Sequence, residues 1–187
     1  MNSLNLPISN KDTIEECLHK VKQCDNDALA MLYEQIRVPV YNFAMSIVRN
    51  RAVAEDILQE TIIKIYESID TYKSKGKPMA WILTITKNNA LMKIRNQSKI
   101  TEMDEEEWNK IEANENINKD ERILLKAALK ELTDEERQII TLYVLSGLKH
   151  REIAKVLEIP LATTLSKYHR ALKKLRAIMA EEVKNGW

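Results

Sequence analysis

Thr163, Ser166, Lys167, Arg170 and Lys174 recur at the three- and four-residue steps that bring side chains to one face of a helix. Hydroxyls, ammoniums and a guanidinium in one row are hydrogen-bond donors, suited to phosphate oxygens and to the edges of bases. The residues around them form a frame. Lys149 to Leu157 reads as a short helix with Ile153, Ala154 and Leu157 at helical spacing, and Glu158-Ile159-Pro160 reads as a turn into a second helix. From Leu161 onward an apolar stripe runs through Leu161, Leu165, Tyr168, Leu172 and Leu175, which leaves Thr163, Thr164, Ser166, Lys167, Arg170, Lys173 and Lys174 on the polar side. Lys149 and Arg151 add cations from the first helix. Between Leu145 and Arg176 there are eight Lys or Arg against two acids, a net charge of +6 inside a chain of +1. A charge so localised is an electrostatic footprint for nucleic acid. A basic amphipathic hairpin could instead be plain solvated surface, but the Gly147, Glu152-Ile153-Ala154 and Pro160 frame favours a helix-turn-helix whose partner is duplex DNA.

A second set lies in Ala54 to Tyr66, AEDILQETIIKIY. Ala54, Ile57, Leu58, Thr61, Ile65 and Ile69 make an inward stripe on a helix over about Ala52 to Ile69, which places Asp56, Gln59, Glu60 and Ile63 outward. Carboxylates and an amide beside an exposed isoleucine suit a protein interface. Asp56 and Glu60 could also serve acid–base chemistry, but exposed carboxylates without a pocket, metal ligands or a nucleophile have no cause for shifted pKa values. A third set follows in the loop DTYKSKGK and the helix opened by Pro78. Trp81, Ile82, Ile85 and Met92 are expected to face its core. Lys73, Lys75, Lys77, Lys87, Asn88, Lys93 and Arg95 then form a second basic surface, well separated from the helix-turn-helix. A lysine-rich loop is usually only solvated. With Tyr72 beside it, this one has what a separated strand needs, cations for its backbone and a ring for its bases.

The elements that must position these residues are helical. The 187 residues include three Gly, four Pro and one Phe, and strand-like alternation is nearly absent. Residues 1–100 carry a net +3, residues 101–121 a net −7 and residues 122–187 a net +5. The acidic block has too few apolar side chains to offset its ordering entropy. The expected architecture is all-α: a helical domain over 1–97, an acidic flexible linker over 98–121 with room for a short helix at Trp108 and Ile111, and a second helical domain over 122–187. In the first domain Thr13-Ile14-Glu15-Glu16 reads as a capping-box start, followed by an apolar face of Ile14, Cys17, Leu18 and Val21. A longer helix from about Asp27 to Val48 is built on Leu29, Leu32, Ile36, Val40, Phe43 and Ile47. Cys17 is thus a core residue. A metal site from Cys17, His19 and Cys24 lacks the paired spacing of a zinc motif, and His150 and His169 are bystanders or phosphate donors. No metal and no cofactor is expected. Two cysteines make no disulfide framework, the N-terminal residues lack the apolar core of a signal peptide and no apolar run is long enough to span a membrane, so a cytoplasmic chain without membrane insertion is expected.

With these motifs in this order, the chain resembles the small two-domain sigma factors of bacterial RNA polymerase, the extracytoplasmic-function (ECF) group of the sigma-70 family. Ala54 to Thr61 resembles the polymerase-binding helix of region 2, Trp81-Ile82-Leu83 with Thr86-Lys87-Asn88 resembles the promoter-melting helix, and Leu132 to Arg176 resembles region 4. The resemblance implies that Asp56, Gln59, Glu60 and Ile63 bind the β′ clamp helices of core polymerase. It implies that Tyr72, Lys73, Lys75, Lys77, Lys87 and Asn88 read and hold open the −10 element. It implies that Lys149, Arg151, Thr163, Ser166, Lys167, Arg170 and Lys174 meet the −35 element, that region 4 engages the β flap, and that an anti-sigma factor covers the same surfaces. Such a protein is not an enzyme, since catalysis belongs to the polymerase.

The chain departs from the family pattern at a few positions. Ala162-Thr163-Thr164-Leu165-Ser166-Lys167 stands where Gly-Thr-Val-Lys-Ser-Arg is common, Met92 stands for an aspartate, and Ile62 for a bulky aromatic. Leu165 either turns inward or meets a thymine methyl. Two other readings remain distinct: a stand-alone helix-turn-helix regulator that uses its first hundred residues to dimerise, and an enzyme on nucleic acid. The second is disfavoured by the lack of a Gly-rich phosphate loop, of metal-spaced His or Cys, and of a nucleophile with an evident base.

Overall fold

A computed structural model describes residues 10–74, 76–96 and 131–184; the acidic linker expected over 98–121 lies outside them, as do Lys75 and the helix considered at Trp108. The described residues are helical, and none of them forms a strand. The first group comprises α1 (Asn10–Lys22), α2 (Asn26–Val48), α3 (Arg51–Ser68), a 3-10 turn at Ile69–Thr71 and α4 (Pro78–Asn96). The second comprises α5 (Asp134–Val144), α6 (His150–Leu157) and α7 (Leu161–Lys184). α1 begins ahead of Thr13, so Thr13 does not cap it.

Helix ends follow local chemistry. The Asp25 carboxylate accepts from the backbone N–H groups of Asp27 and Ala28, and Asn50 accepts from Val53 at 3.0 Å, which satisfies first-turn donors of α2 and α3 that have no partner within the helix. Thr133 and Glu136 close a reciprocal capping box at the start of α5. Between α5 and α6 the chain turns through Gly147 at φ +64°, a left-handed conformation that glycine adopts without a Cβ penalty.

α2 is the hub, packed against α1, α3 and α4. Leu32, Ile36, Val40, Phe43 and Ala44 are fully buried along it, and Ile57 and Ile65 of α3 with Ile82 and Leu83 of α4 close over them. Truncating a ring such as that of Phe43 would remove about 3–5 kcal/mol. Ile14, Cys17, Leu18 and Val21 are buried as their spacing requires, and burial pushes the Cys17 thiol up against a partly offsetting bond from Gln35. Two buried polar groups bond within this core: the Asn89 amide donates to Thr61 Oγ1 at 3.4 Å across α3 and α4, and Thr86 Oγ1 donates to the Ile82 carbonyl at 3.0 Å. Met92 departs from expectation. It is half exposed, because it lies off the buried face of α4 that runs through Ile82, Leu83, Thr86, Asn89 and Ala90.

In the second group α7 lies across α5 and α6. Its buried seam is displaced by one residue from the stripe read in the sequence: Thr164 and Ala171 are fully buried while Leu165 stands 36% exposed. Small residues let the helices approach closely, and the Thr164 hydroxyl donates to the Pro160 carbonyl at 3.2 Å, so its burial leaves no orphaned donor.

The two groups abut. α5 packs on α2 and α6 on α4, and Ile139, Leu142, Leu148, Ile153 and Val156 join the first group's core in one continuous apolar cluster. Arg49 pairs with Asp134, Lys77 Nζ lies 3.3 Å from Glu152 and Lys87 Nζ lies 2.8 Å from Glu158. The second basic surface is therefore not separated from the helix-turn-helix.

Candidate functional site

Three faces carry the candidate residues. On α3 the inward stripe of Ala54, Ile57, Leu58, Thr61 and Ile65 is buried, with Ile69 of the following turn, and this turns Asp56, Gln59 and Ile63 to solvent with Glu60 half-buried beside them. Ile63 is 56% exposed, an apolar side chain offered among polar neighbours. Lys93 of α4 reaches across, with Nζ 2.6 Å from Glu60 Oε1 and 3.9 Å from Asp56 Oδ2. The bond it donates to Glu60 raises the Lys93 ammonium above its ordinary pKa. Lys93 thus belongs to the carboxylate face and not to the basic surface it was grouped with. Next to Gln59 is a hollow of about 270 Å³ lined by Tyr33, Arg37, Tyr41, Arg51, Glu55 and Leu58, which no spacing in the sequence announces because α2 and α3 contribute to it from different turns.

On the second face Tyr72 packs against Trp81 with ring centroids 4.8 Å apart and planes tilted by 47°, and it donates its hydroxyl to Glu15 Oε2 at 2.6 Å. Burial, then the bond to the Glu15 carboxylate, raises its pKa and keeps the phenol protonated. Lys73 and Asn88 are exposed. Lys77 is exposed as expected but paired with Glu152, and Lys87 is not the open cation expected. Lys87 is 7% exposed, its ammonium capped by Glu158, and the same contact holds the Glu158 carboxyl below its usual range. The reason is the docking of α6 on α4, which spacing along either helix could not reveal.

The third face is the helix-turn-helix. α6 ends at Glu158 in a left-handed conformation, φ 58° and ψ 38°, with its N–H returned to Ala154 and Lys155, and α7 opens after Pro160. The turn stands where the sequence places it. Lys149, Arg151, Ser166 and Arg170 are exposed and Thr163 is half-buried. Lys167 pairs with Glu135, and Lys174 Nζ lies 2.7 Å from Glu136, so α5 lends carboxylates to the foot of α7. Burial disfavours charge on Glu136, but the bonds from Lys174 and from the Thr133 backbone outweigh it and hold its pKa below the ordinary value. Thr164, placed on the polar side by spacing, is core, and Leu165, for which both an inward and an outward facing were open, joins the outward face. His150 lies between Tyr143 and Tyr168, ring centroids 4.8 and 4.5 Å away. Among the described residues no three His, Cys, Asp or Glu side chains converge as a metal site, and no helix is long and apolar enough to cross a membrane.

Comparison with known proteins bears on all three faces. Residues 32–100 match the family description "Sigma-70 region 2" and residues 122–175 match "Sigma-70, region 4". The ECF RNA polymerase sigma factor SigK of Mycobacterium ulcerans (strain Agy99) is 28% identical over 178 residues, covering 91% of this chain and 95% of that protein. SigK of Mycobacterium tuberculosis (strain ATCC 25618 / H37Rv) is 29% identical over 171 residues, covering 87% and 91%. Two solved structures share the fold. CnrH in complex with the cytosolic domain of CnrY has a TM-score of 0.66 at 18% identity, over 90% of this chain and 98% of that one. The sigma factor RpoE in complex with the anti-sigma factor NepR from Bartonella quintana has a TM-score of 0.65 at 23% identity, over 79% and 94%. An outward carboxylate and amide helix, an aromatic and basic turn and a helix-turn-helix thus coincide with the two regions matched, and the chain belongs to the sigma-70 family of RNA polymerase sigma factors, in its ECF group.

Proposed function

We propose that this sigma factor docks on core RNA polymerase through the outward face of α3 and places its two helical units on the −10 and −35 elements of a promoter. Asp56, Gln59 and Glu60 present acceptors to cationic side chains of the β′ clamp helices, Ile63 supplies the apolar contact, and the adjoining hollow receives a side chain from the same partner. The observation that carries this reading is the joint presence of a region 2 match, whose α3 turns acids and an isoleucine to solvent, and a region 4 match built on a helix-turn-helix. A stand-alone regulator would need the second and not the first.

On DNA, Lys73, Lys77, Lys87 and Asn88 hold the backbone of a separated −10 strand while Tyr72 and Trp81 offer ring surface to its bases. Lys149, Arg151, Ser166 and Arg170 face the −35 duplex, Arg170 as a candidate for guanine and the exposed Leu165 for a thymine methyl. Region 4 also meets the β flap. Each contact alone is weak, and two contacts tethered on one polymerase raise the effective affinity by about a hundredfold or more. The protein supplies recognition and strand separation, and the polymerase supplies chemistry. An anti-sigma factor, the kind of partner on which the RpoE relative was solved, is proposed to cover these faces in the resting cell.

The test is direct. Titrating labelled chain with core polymerase, Asp56→Arg should weaken association at least about tenfold through repulsion at the clamp cations, with unfolding temperature unchanged. Equal affinity in the variant would refute the α3 assignment.

A further inference from the structure

The clearest feature left unexplained is the set of ion pairs between the two helical groups. Lys87 is a cation only 7% exposed whose ammonium points out of α4 and ends 2.8 Å from Glu158 Oε1. Lys77, from the loop before α4, ends 3.3 Å from Glu152 Oε1. Both carboxylates come from the ends of α6, a helix of the DNA-reading unit, and both lysines belong to the −10 set. A carboxylate at these distances makes the same charge-assisted bond to an ammonium that a phosphate oxygen makes. The backbone at Glu158 adds to this. It occupies the left-handed cap position where glycine or asparagine is the low-cost residue, and a Glu there holds its carboxylate beside Lys87.

We infer that Glu158 and Glu152 stand in for strand phosphates on Lys87 and Lys77, so that the free chain closes on itself and holds its −10 site occupied until region 4 swings away.

The inference rests on the reading of Lys77 and Lys87 as −10 contacts. Closure has two components. Ile139, Leu142, Ile153 and Val156 seat α5 and α6 in the apolar cluster of α2 and α4, and three ion pairs, Arg49 with Asp134 included, line the rim of that seat. The Glu158 side chain is 72% exposed although its partner is buried, so an incoming phosphate meets the carboxylate at the solvent edge and can displace it there. The consequence is asymmetric. The pairs on Lys77 and Lys87 come from the other helical group and would break on opening, whereas those on Lys167, Arg170 and Lys174 of the −35 face come from α5 of their own group, and Arg151 and Ser166 stay exposed. A chain in this state can be captured by polymerase before it can take up melted DNA, which suppresses stray binding to single strands.

The experiment uses the full chain as Glu158→Lys, Glu158→Gln and, as a control for added charge far from the seam, Glu34→Lys. X-ray scattering in dilute solution reads the radius of gyration, and fluorescence anisotropy reads binding of a labelled single-stranded DNA 12-mer of randomised sequence. Wild type should have the smallest radius, Glu158→Lys should expand, Glu158→Gln should move the same way by less, and Glu34→Lys should match wild type. If the open form is about a tenth of the wild-type population, opening raises oligonucleotide affinity about tenfold. An unchanged radius in Glu158→Lys overturns the closure. Expansion without a gain in oligonucleotide affinity over Glu34→Lys overturns the assignment of the two lysines to DNA, and with it the phosphate mimicry, while closure itself stands.

Discussion

At the scale of single residues, side-chain type was legible and facing was legible only in part. The α3 stripe was read correctly because its apolar residues are bulky and repeat at unambiguous steps, which leaves one solution for Asp56, Gln59 and Ile63. In α7 Tyr168, Leu172 and Leu175 pack on the core as their spacing implies, but close helix packing puts the small Thr164 and Ala171 at the fully buried positions and turns Leu165 outward. The exposed Leu165 then carries a prediction. Leu165→Ala should shift thermal stability by less than about 1 kcal/mol and change base preference at one position of the −35 element, measured by melting and by selection from a randomised promoter. Lys93 carries another. Its ammonium occupies both carboxylates proposed for the polymerase, so Lys93→Gln should tighten core binding by about two- to fivefold, the range of an exposed ion pair, in the same titration that reports on Asp56.

At the scale of elements, the order of helices and the turn at Glu158 to Pro160 followed from caps, proline and periodicity; the end of α3 moved by one residue, where it gives way to a 3-10 turn, and the start of α1 by four, to Asn10. What pattern could not supply was the role of α5's acidic start. Glu136 both caps its helix and binds Lys174 of α7, a link that depends on two helices meeting. Its pKa lies below the ordinary 4.5, so the link contributes stability that is fully present above that value and is lost as pH falls through the lower, folded-state pKa. Glu136→Gln keeps an acceptor for the capping box and removes the charge. Chemical denaturation should show the variant about 1.5–3 kcal/mol less stable at neutral pH, with the difference closing in acid. A gap that persists unchanged in acid would mean the charge on Glu136 contributes nothing.

At the scale of the whole molecule, two helical regions were legible from the charge map and the motif order, since each carries its own apolar stripes. Their docking was not. The residues that join them, Ile139, Leu142, Ile153 and Val156 against α2 and α4, look like ordinary core positions of their own helices, and nothing in their spacing names the surface they cover. The same docking turns Lys77 and Lys87 from open cations into partners of Glu152 and Glu158, which is why the second basic surface was misjudged while the family was not. Use of both helical units to direct polymerase to promoters has a direct readout. Run-off transcription by core RNA polymerase on genomic fragments, with and without the protein, tests it most directly. Start sites that appear only with the wild-type chain, and are lost with Asp56→Arg and with Arg170→Ala, are the result predicted; start sites unchanged by the protein, alongside tight binding of an operator without polymerase, would contradict it.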